Sequence, residues 1–362
     1  MRVIIAGGGT GGHIFPAIAI ANALKEQRPD IEILFVGAKG KMEMEKVPQA
    51  GYKIVGLDIA GLNRSSLIKN IGLPFKLVKS FFQVTNIFKS FKPDAVIGVG
   101  GYSSFPVLRY AQAKGIHSFI HESNSFAGKS NILLGKKASK VFTGTDGMEK
   151  FFPANKIMVT GNPVRSVIAR SAVTKAAGLQ FFGLSTEQKT VLVVGGSLGA
   201  KTINETIDKH LDELLQAGLQ VIWQTGKPYA ATAKARVQGK TGVWANDFIT
   251  DMQFAYAAAD IIVARAGAMT VAEICVVQKP ALFVPYPYAA EDHQTANARA
   301  LVDKGAAIMV KDSEAMEKAV PMLIALAGDE TRQLEMKTQL AKLAITDADT
   351  KIAKTVLTVT VT

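Results

Sequence analysis

The chain has 362 residues, enough for two globular domains that each bury a sizeable core. Apolar residues make up 48% and charged residues 20%, and no apolar stretch reaches the roughly 18 residues of a membrane span, so we expect no bilayer-spanning helix. The N-terminus begins with a strand pattern instead of a secretory signal, which favours the cytosol. The single cysteine, Cys275, excludes an internal disulfide, and its apolar neighbours favour a buried position over a nucleophile.

The net charge of +12 is distributed unevenly along the chain. Residues 1–163 carry 21 Lys and Arg against 10 Asp and Glu, a net of +11, whereas the remainder carries 21 against 20, a net of +1. A basic first half favours an anionic partner. Composition alone leaves open whether that partner is nucleic acid, a phospholipid surface or a phosphorylated substrate.

The first half of the chain alternates short β-branched runs with helical patterns. This alternation predicts a parallel sheet whose strands are connected by helices. The five predicted strands are "RVIIAGG", "IEILFVG", "DAVIGVG", "IHSFIHE" and "KVFTGT".

The second half repeats this pattern, which predicts a second βα domain. Its predicted strands are "TVLVVGG", "QVIWQTG", "GVWANDF", "IIVARAG" and "PALFVPYP". A segment with two prolines and a glycine separates the halves and places a hinge near Gly161–Arg165. We therefore expect an N-terminal domain over 1–163 and a C-terminal domain over 164–340. A terminal helical segment, 341–362, can pack on either domain, including back on the N-terminal one.

A glycine-rich turn follows the first predicted strand of each half. Five of the six residues in Gly7–Gly12 are glycine, and "GGSLGA" stands in the corresponding place of the second half. Glycine lets a ligand approach the backbone closely, and amides at a helix N-terminus attract anions. One such turn is as consistent with an empty connection as with a phosphate site, but two such turns favour phosphate.

The first turn also satisfies the dinucleotide-binding pattern G-x-G-x-x-G through Gly7, Gly9 and Gly12. The second strand, however, ends in Gly37–Lys39 and lacks the acidic residue that binds the NAD ribose. Lys39 could bind the additional phosphate of NADP, so that cofactor stays an open alternative. Two further loops, "GVGGYSSFP" and "HESNSFAGKSN", follow strands of the same predicted sheet. Such a concentration of glycine and polar residues at one sheet edge favours ligand binding there.

Seven segments resemble, in order, the MurG family of peptidoglycan glycosyltransferases. They are "GGGTGGH", "GGYSSFP", "HESN", "GNPVR", "GGSLGA", "AGAMTVAE" and "HQTANA". The resemblance implies two Rossmann-like doubly wound α/β domains facing across a cleft, the glycosyltransferase-B fold. It also implies transfer of N-acetylglucosamine with inversion and without a metal or other cofactor, and no metal-ligand spacing occurs in the chain. Ser123 and Leu198 depart from family members that read "HEQN" and "GSQGA".

The resemblance assigns substrate contacts in both halves. In the first half these are Thr10, Gly11, Gly12, Asn124 and Arg165, near the sugar and diphosphate. In the second half they are Ser197 on the diphosphate, Ile249 at uracil, Ala268, Met269, Thr270, Val271 and Ala272 near the diphosphate and ribose, and Gln294 at the sugar hydroxyls.

Five residues are candidates for catalysis. His13 is placed to accept the proton of the attacking 4-hydroxyl of N-acetylmuramic acid, and the alternative is a histidine that only binds diphosphate or caps the turn. The other candidates for the same base are Glu122, the acidic one, and the histidines His121 and His293. Arg165 suits the charge that develops on the leaving UDP, and the alternative is a surface charge.

Glu273 has two interpretations. "TVAE" matches a Thr-x-x-Glu capping box, which favours a structural role when the segment is taken alone. The family resemblance implies instead that the Glu273 carboxylate accepts hydrogen bonds from both ribose hydroxyls.

The sequence therefore predicts a glycosyltransferase of peptidoglycan synthesis. The expected substrates are UDP-N-acetylglucosamine and lipid I, an undecaprenyl-diphosphate-linked muramyl peptide. One alternative is another UDP-sugar enzyme of the same fold, a glycolipid glycosyltransferase or a sugar-nucleotide epimerase. A second is a non-catalytic binder of anionic membranes or nucleic acid, which the two glycine turns argue against. We expect no nucleic-acid partner.

The segment 64–92 carries six basic residues and no acidic one. Its apolar residues Ile71, Leu73, Phe75, Phe81, Phe82 and Phe88 are candidates for exposure. Two core-packed helices with solvated lysines are the alternative, but they do not account for the absence of Asp and Glu. We expect this segment to bind an anionic membrane, with the enzyme peripheral on the cytoplasmic face.

Overall fold

The computed structural model describes residues 1–61, 73–196 and 198–361, apart from the side chains of Leu73, Pro74, Ala290 and Val361. The chain divides into two compact units. The first comprises Met1–Arg165 together with Asp347–Thr362, and the second comprises Ser166–Thr346.

The first unit contains a seven-stranded sheet in the order β3-β2-β1-β4-β5-β6-β7, and every strand pair in it is parallel. Its strands are β1 (Arg2–Ala6), β2 (Glu32–Ala38), β3 (Lys53–Leu57), β4 (Ala95–Gly98), β5 (His117–Glu122), β6 (Lys140–Thr143) and β7 (Ile157–Val159). Its connecting helices are α1 (Gly11–Gln27), α2 (Glu43–Gln49), α3 (Leu73–Phe91), α4 (Ser104–Ala113) and α5 (Lys129–Gly135).

The second unit contains a six-stranded parallel sheet in the order β10-β9-β8-β11-β12-β13. Its strands are β8 (Lys189–Val194), β9 (Leu219–Gln224), β10 (Val243–Asn246), β11 (Ile261–Ala264), β12 (Ala281–Phe283) and β13 (Ile308–Met309). Its helices are α6 (Ser166–Ala169), α7 (Lys175–Phe182), α8 (Lys201–Gln216), α9 (Ala230–Val237), α10 (Met252–Ala258), α11 (Ala268–Val277), α12 (His293–Val302), α13 (Ala315–Gly328) and α14 (Glu330–Leu343).

Both sheets are doubly wound, which confirms the predicted fold class. In each sheet the first strand along the chain is central and the strand order reverses beside it, between β1 and β4 and between β8 and β11. Ligands of open parallel sheets bind beyond the carboxyl ends of the strands at such a reversal. Each glycine turn follows the strand at one of these two positions.

The central strands are buried on both faces, as parallel strands covered by helices must be. In the first unit one apolar cluster joins β1 and β4 to α1, and a second joins the opposite sheet face to α3 and α4. In the second unit the largest fully buried side chain, Trp223 of β9, packs with α8 and α13. These packed layers fix the strand ends that carry the polar loops.

The terminal helix α15 (Ala348–Val361) packs on α1 of the first unit. Ile352, Ala353 and Val356 are fully buried in the same cluster as the inner face of α1. The Gln27 side chain also donates to the Thr350 carbonyl, at 3.0 Å.

Cys275 is buried within α11, as the sequence predicts, and burial raises the pKa of its thiol to about 11. Within the described ranges, no helix has the length and apolar character that crossing a bilayer requires. Across the same residues, no group of three or more His, Cys, Asp or Glu side chains is arranged to hold a metal ion.

Candidate functional site

The first glycine turn joins β1 to α1, and its backbone is held inside the unit. The amides of Gly7–Gly9 donate, in order, to the Val36 carbonyl, the Gly100 carbonyl and a carboxylate oxygen of Glu43, at 3.1, 3.2 and 2.8 Å. The next amides, at Thr10–Gly12, open α1 and have no carbonyl one turn behind them. An anion at this turn would therefore bind the amides of Thr10–Gly12, because the amides of Gly7–Gly9 already donate within the unit.

His13 lies in the first turn of α1, at the reversal between β1 and β4. Its Nδ1 atom lies 3.1 Å from the Gly8 carbonyl oxygen. A carbonyl can only accept a hydrogen bond, so Nδ1 carries the ring hydrogen and Nε2 keeps its lone pair. The ring rests against Gly100, where an added Cβ would lie 2.7 Å from Nε2.

The charge state of His13 suits proton acceptance. Burial lowers the pKa of its imidazole below 6.5, while the Glu122 carboxylate, the hydrogen bond to Gly8 and the Glu43 carboxylate oppose that shift. At neutral pH the ring is therefore uncharged, with a basic Nε2. His121, fully buried nearby, has its pKa lowered to about 4 by burial and by the neighbouring His13, so it is neutral as well.

Glu122 ends β5 and organises the loop that follows. Its Oε1 accepts from the backbone and side-chain nitrogens of Asn124, at 3.1 and 3.4 Å. Its Oε2 accepts from the Gly128 amide at 3.1 Å and from Asn131 Nδ2 at 2.8 Å. Four donors occupy the lone pairs of this carboxylate.

Arg165 is the last residue of the first unit before the chain enters the second. Its guanidinium carbon lies 4.3 Å from the ring centroid of Phe15, which is two residues beyond His13 on α1. This cation–π contact places a permanent positive charge beside the first turn of α1.

In the second unit the second glycine turn joins β8 to α8. Gly196 and Gly199 have φ values of +87° and +77°, which glycine adopts without strain. A Cβ at Gly199 would overlap the Thr225 carbonyl, so the turn packs directly on the end of β9. Ser197 lies outside the described residues, and the neighbouring Leu198 is exposed.

The helix after β11 begins at Ala268, and its N-cap is Gly267, with no side-chain capping hydrogen bond. The capping-box interpretation of Thr270 and Glu273 is therefore wrong, because Thr270 is the third helical residue. Glu273 faces Tyr256 instead, whose hydroxyl donates to its Oε2 at 2.7 Å. The amides of Ala268, Met269 and Thr270 form the first turn, with Val271 and Ala272 directly behind them.

Two other candidates, Ile249 and Gln294, each have one polar group hydrogen-bonded within the second unit. The Ile249 amide donates to Gln224 Oε1 at 3.0 Å, and Gln224 Nε2 donates to the Gly196 carbonyl at 3.1 Å. The Ile249 amide is therefore already engaged within the unit. Gln294 Oε1 accepts from the Tyr286 amide at 2.9 Å, which orients the Gln294 side chain.

The helix α3 contains the described part of the segment 64–92. Its inner side buries Ser80, Val84, Ile87 and Phe88, so Phe88 is not exposed as expected. Its outer side exposes Phe75 and Phe82, at 78% and 70%, with Val78 between them. Ile71 and the side chain of Leu73 lie outside the described part of the chain, and Phe81 is partly buried.

Lys79 of α3 is paired with Asp58, at 2.9 Å, as is Lys39. The Gln83 side chain bonds to the Asp58 backbone amide and carboxylate as well, so this group ties α3 to the end of β3. Lys76, which follows Phe75 on α3, is exposed.

Sequence reasoning missed four residues that orient these candidates. They are Glu43 at the first turn, Asn131 at Glu122, Tyr256 at Glu273, and Arg265 after β11. Arg265 is buried, donates to the Val284 and Pro285 carbonyls and pairs with Asp312. The signal for Arg265 was a lone arginine within the apolar run "IIVARAG".

Comparison with protein families matches both units. The N-terminal domain of glycosyltransferase family 28 matches residues 3–143, and the C-terminal domain of the same family matches residues 190–354.

Relatives of similar length share about half of the residues. A protein of Parabacteroides distasonis is 50% identical over 95% of this chain and 94% of its own. One of Phocaeicola vulgatus is 50% identical over 98% of this chain and 96% of its own. Both are named UDP-N-acetylglucosamine–N-acetylmuramyl-(pentapeptide) pyrophosphoryl-undecaprenol N-acetylglucosamine transferase. The crystal structure of Acinetobacter baumannii MurG is 31% identical, covers 99% of both chains and superposes with a TM-score of 0.75.

Proposed function

We propose that this chain, which belongs to the MurG family within glycosyltransferase family 28, transfers N-acetylglucosamine from UDP-N-acetylglucosamine to lipid I. The acceptor atom is the 4-hydroxyl of the muramic acid, and the products are lipid II and UDP. The observation that carries the proposal is 50% identity over 98% of the chain to a relative named for this transfer. This is a step of peptidoglycan synthesis.

In this proposal His13 is the general base. Its neutral ring presents Nε2, while the Gly8 carbonyl fixes Nδ1 as the protonated nitrogen. Nε2 accepts the proton of the muramic acid 4-hydroxyl as that oxygen attacks the anomeric carbon from the face opposite UDP, which inverts the configuration. As the new bond forms, the bond from the anomeric carbon to the diphosphate oxygen breaks, and UDP leaves with the bonding electron pair.

Glu122 acts electrostatically in the same proposal. Its oxygens already accept four hydrogen bonds, which supports His13 over Glu122 as the proton acceptor. The negative charge favours the imidazolium that forms when His13 takes the proton. By holding Asn124, Glu122 also orients an amide group that the acceptor or donor sugar can meet.

In the proposed reaction, a positive charge and helix amides of the first unit stabilise the negative charge of the leaving group. Thr10–Gly12 offer the first amides of α1, and Arg165 lies beside Phe15 on the same helix. A guanidinium forms bidentate hydrogen bonds with phosphate oxygens and never loses its charge. Arg165 therefore stabilises the charge that develops on the UDP diphosphate.

The second unit holds the nucleotide. Ser197 and the first turn of α11, with Ala268–Ala272, contact the diphosphate and ribose, and the Ile249 carbonyl accepts from uracil. Glu273, oriented by Tyr256, accepts from the ribose hydroxyls. Gln294 binds hydroxyls of the transferred sugar.

The acceptor's polyprenyl chain remains in the bilayer, so the first unit must work at the membrane surface. The exposed Phe75, Val78 and Phe82 of α3, with Lys76 beside them, form an apolar face rimmed by positive charge. Such a face inserts among anionic headgroups. We place the enzyme peripherally on the cytoplasmic face of the cell membrane.

One experiment separates this function from its alternatives. The protein is mixed with labelled UDP-N-acetylglucosamine, with and without lipid I, and the products are identified. Labelled lipid II that forms only with lipid I supports the proposal. Conversion of the nucleotide sugar without an acceptor would instead indicate an epimerase. Transfer only to another lipid would indicate a different glycosyltransferase. Failure to bind UDP would indicate a non-catalytic binder of membranes or nucleic acid.

A further inference from the structure

Glu43 opens α2 and is buried in the first unit, with 1% of its surface exposed. Its Oε2 accepts from the Gly9 amide at 2.8 Å, and its Oε1 accepts from the Ala38 amide at 2.9 Å. The carboxylate thus joins the first glycine turn to the end of β2. Charged groups are rarely buried this deeply without a specific partner, and here the partners are two backbone amides.

The turn is shaped around this carboxylate. A Cβ at Gly8 would overlap the Glu43 carboxyl group, and a Cβ at Gly37 would overlap the Glu43 side chain. Gly8 and Gly9 have φ values of +147° and +89°, which other residues rarely adopt. Two of the glycines around the turn therefore make room for an acid of the protein itself and not for a ligand.

The backbone links Glu43 to the base. Gly8 packs against the carboxylate, Gly9 is bonded to it, and the carbonyl between those two residues accepts from His13 Nδ1. The position of that carbonyl decides which ring nitrogen carries the hydrogen. Without the Glu43 bond, only the hydrogen bond to His13 holds the Gly8–Gly9 peptide, and glycine on both sides lets that peptide rotate more easily.

We propose that Glu43 is a positioning residue for the transfer, because it fixes the Gly8 carbonyl that keeps the hydrogen of His13 on Nδ1 and leaves Nε2 basic. This inference rests on the proposed function and deepens it. It also assigns the Gly9 amide to the protein, so that donor or acceptor oxygens meet α1 from Thr10 onward.

The charged and titratable groups that face His13 come from two elements. Glu43 lies on α2, while Glu122 and His121 lie on β5. The two carboxylates raise the proton affinity of His13 against the effect of burial. Removing the charge of Glu43 should therefore lower the pKa of His13 further, while the charge of Glu122 stays in place.

The test is Glu43→Gln in the full-length protein, assayed with UDP-N-acetylglucosamine and a water-soluble lipid I analogue. A glutamine can accept from only one of the two amides, so the Gly8–Gly9 peptide loses its restraint. We expect kcat to fall about 10- to 100-fold, with KM for UDP-N-acetylglucosamine within about twofold of the wild type. The acid limb of the pH profile of kcat/KM should move to lower pH. Glu45→Gln, an exposed change on the same helix, should leave all three quantities unchanged.

Unchanged kcat and an unchanged acid limb in Glu43→Gln would overturn the proposal. A fall in kcat with the acid limb in place would also overturn it, since a purely structural defect gives that result. If the variant does not fold, nitrogen-15 NMR of His13 in the wild-type protein decides. Nδ1 protonation, with a slowly exchanging Gly9 amide, supports the proposal, and Nε2 protonation overturns it. The NMR measurements report the protonated nitrogen of His13 whether or not His13→Ala retains turnover. Failure of His13 as the base can therefore be distinguished from failure of Glu43 as the positioning residue.

Discussion

His13 illustrates how one side chain obtains a chemical role from its backbone surroundings. Its ring is fixed from one side by the Gly8 carbonyl and from the other by Gly100, whose missing side chain leaves room for the imidazole. Burial lowers the pKa of the ring more than the two carboxylates, Glu122 and Glu43, raise it, so the ring is neutral. This geometry leaves a neutral ring whose Nε2 lone pair is available, which fits the general base that we propose.

For His13→Ala we expect kcat to fall by about two to four orders of magnitude, because a general base is lost, while UDP affinity stays close to that of the wild type. Since the pKa of His13 is lowered, wild-type kcat/KM should decline with acid only below pH 6.5, as the ring gains its proton. Steady-state kinetics across pH, with nucleotide titration, measure both effects. His117→Ala is the matched control, because His117 lies at the amino end of β5 beside Ser139. Near-normal turnover in His13→Ala would exclude His13 as the base.

For Glu273→Gln we expect UDP affinity to fall about tenfold, because a charge-assisted hydrogen bond to ribose becomes a neutral one. Stability should hold, since a glutamine oxygen can still accept from the Tyr256 hydroxyl and no helix cap is lost. Calorimetric titration with UDP and a urea unfolding curve measure the two quantities. Tyr256→Phe is the companion variant and should weaken binding less. Unaltered UDP affinity in Glu273→Gln would contradict the ribose role.

The residues of the candidate site differ in how far the sequence could predict them. His13, Asn124 and Glu273 stand within motifs, so a resemblance could single them out. Glu43 stands in "KMEMEKV", which looks like an ordinary charged helix, and only the folded chain brings it to the first glycine turn. A buried acid of this kind has no local signal, because its partners are backbone amides far away in the sequence.

At the scale of elements, the sequence predicted the central strands and the edge strand β10 but missed the other three edge strands. The missed strands are β3, β7 and β13, and each lies at the edge of its sheet. An edge strand buries fewer side chains, so its apolar pattern is weak: β7 has no buried residue and β13 is only half-buried. The segment 64–92 was predicted to expose apolar residues to a membrane, but which phenylalanines of α3 face the solvent depends on packing against α4.

The exposed face of α3 can be tested with Phe75→Ser, Phe82→Ser and Lys76→Glu combined. We expect liposomes of anionic lipid to bind this variant at least about a hundredfold more weakly, because two aromatic insertions and one electrostatic contact are lost. Lys79 is left intact, since its pairing with Asp58 belongs to the fold. Sedimentation with liposomes measures the binding, and raised salt should weaken the wild type as well.

The matched control for α3 is Leu334→Ser with Lys342→Glu on α14, where Leu334 is likewise exposed. Turnover of a short-chain, water-soluble acceptor should barely change in either variant, because the proposed role of α3 is to bind the membrane that holds the natural acceptor. Equal liposome binding by the wild type and the α3 variant would exclude α3 as the membrane contact.

At the scale of the whole molecule, the two units share one architecture, a parallel sheet whose first strand is central and ends in a glycine turn. The alternation of strand and helix patterns, repeated once, predicted a parallel sheet in each half, and the doubly wound order was expected from the family resemblance. The destination of α15 was not predictable, because an amphipathic helix without a strand of its own fits many apolar surfaces. Its place is set by Ile352, Ala353 and Val356, which complete the core beneath α1.

For Ile352→Ala we expect the free energy of unfolding to fall by about 2–5 kcal/mol, because a fully buried side chain leaves a cavity between α15 and the core. Urea unfolding followed by circular dichroism measures the loss. Leu334→Ala, on the exposed side of α14, should change the same quantity by less than about 0.5 kcal/mol. An equal effect of the two variants would contradict the structural role of α15.

The return of the chain to its first unit also bears on biosynthesis. On the ribosome, α1 emerges early, but the helix that covers it lies beyond Thr346, after the whole second unit. At typical elongation rates of about 5–20 residues per second, that delay lasts roughly 15 to 60 s. The second unit is contiguous and can fold during this time, whereas the first keeps an uncovered apolar surface on α1. The nascent first unit is therefore the part of the protein most in need of a chaperone, and a ribosome that stalls before Ala348 releases a product prone to aggregate.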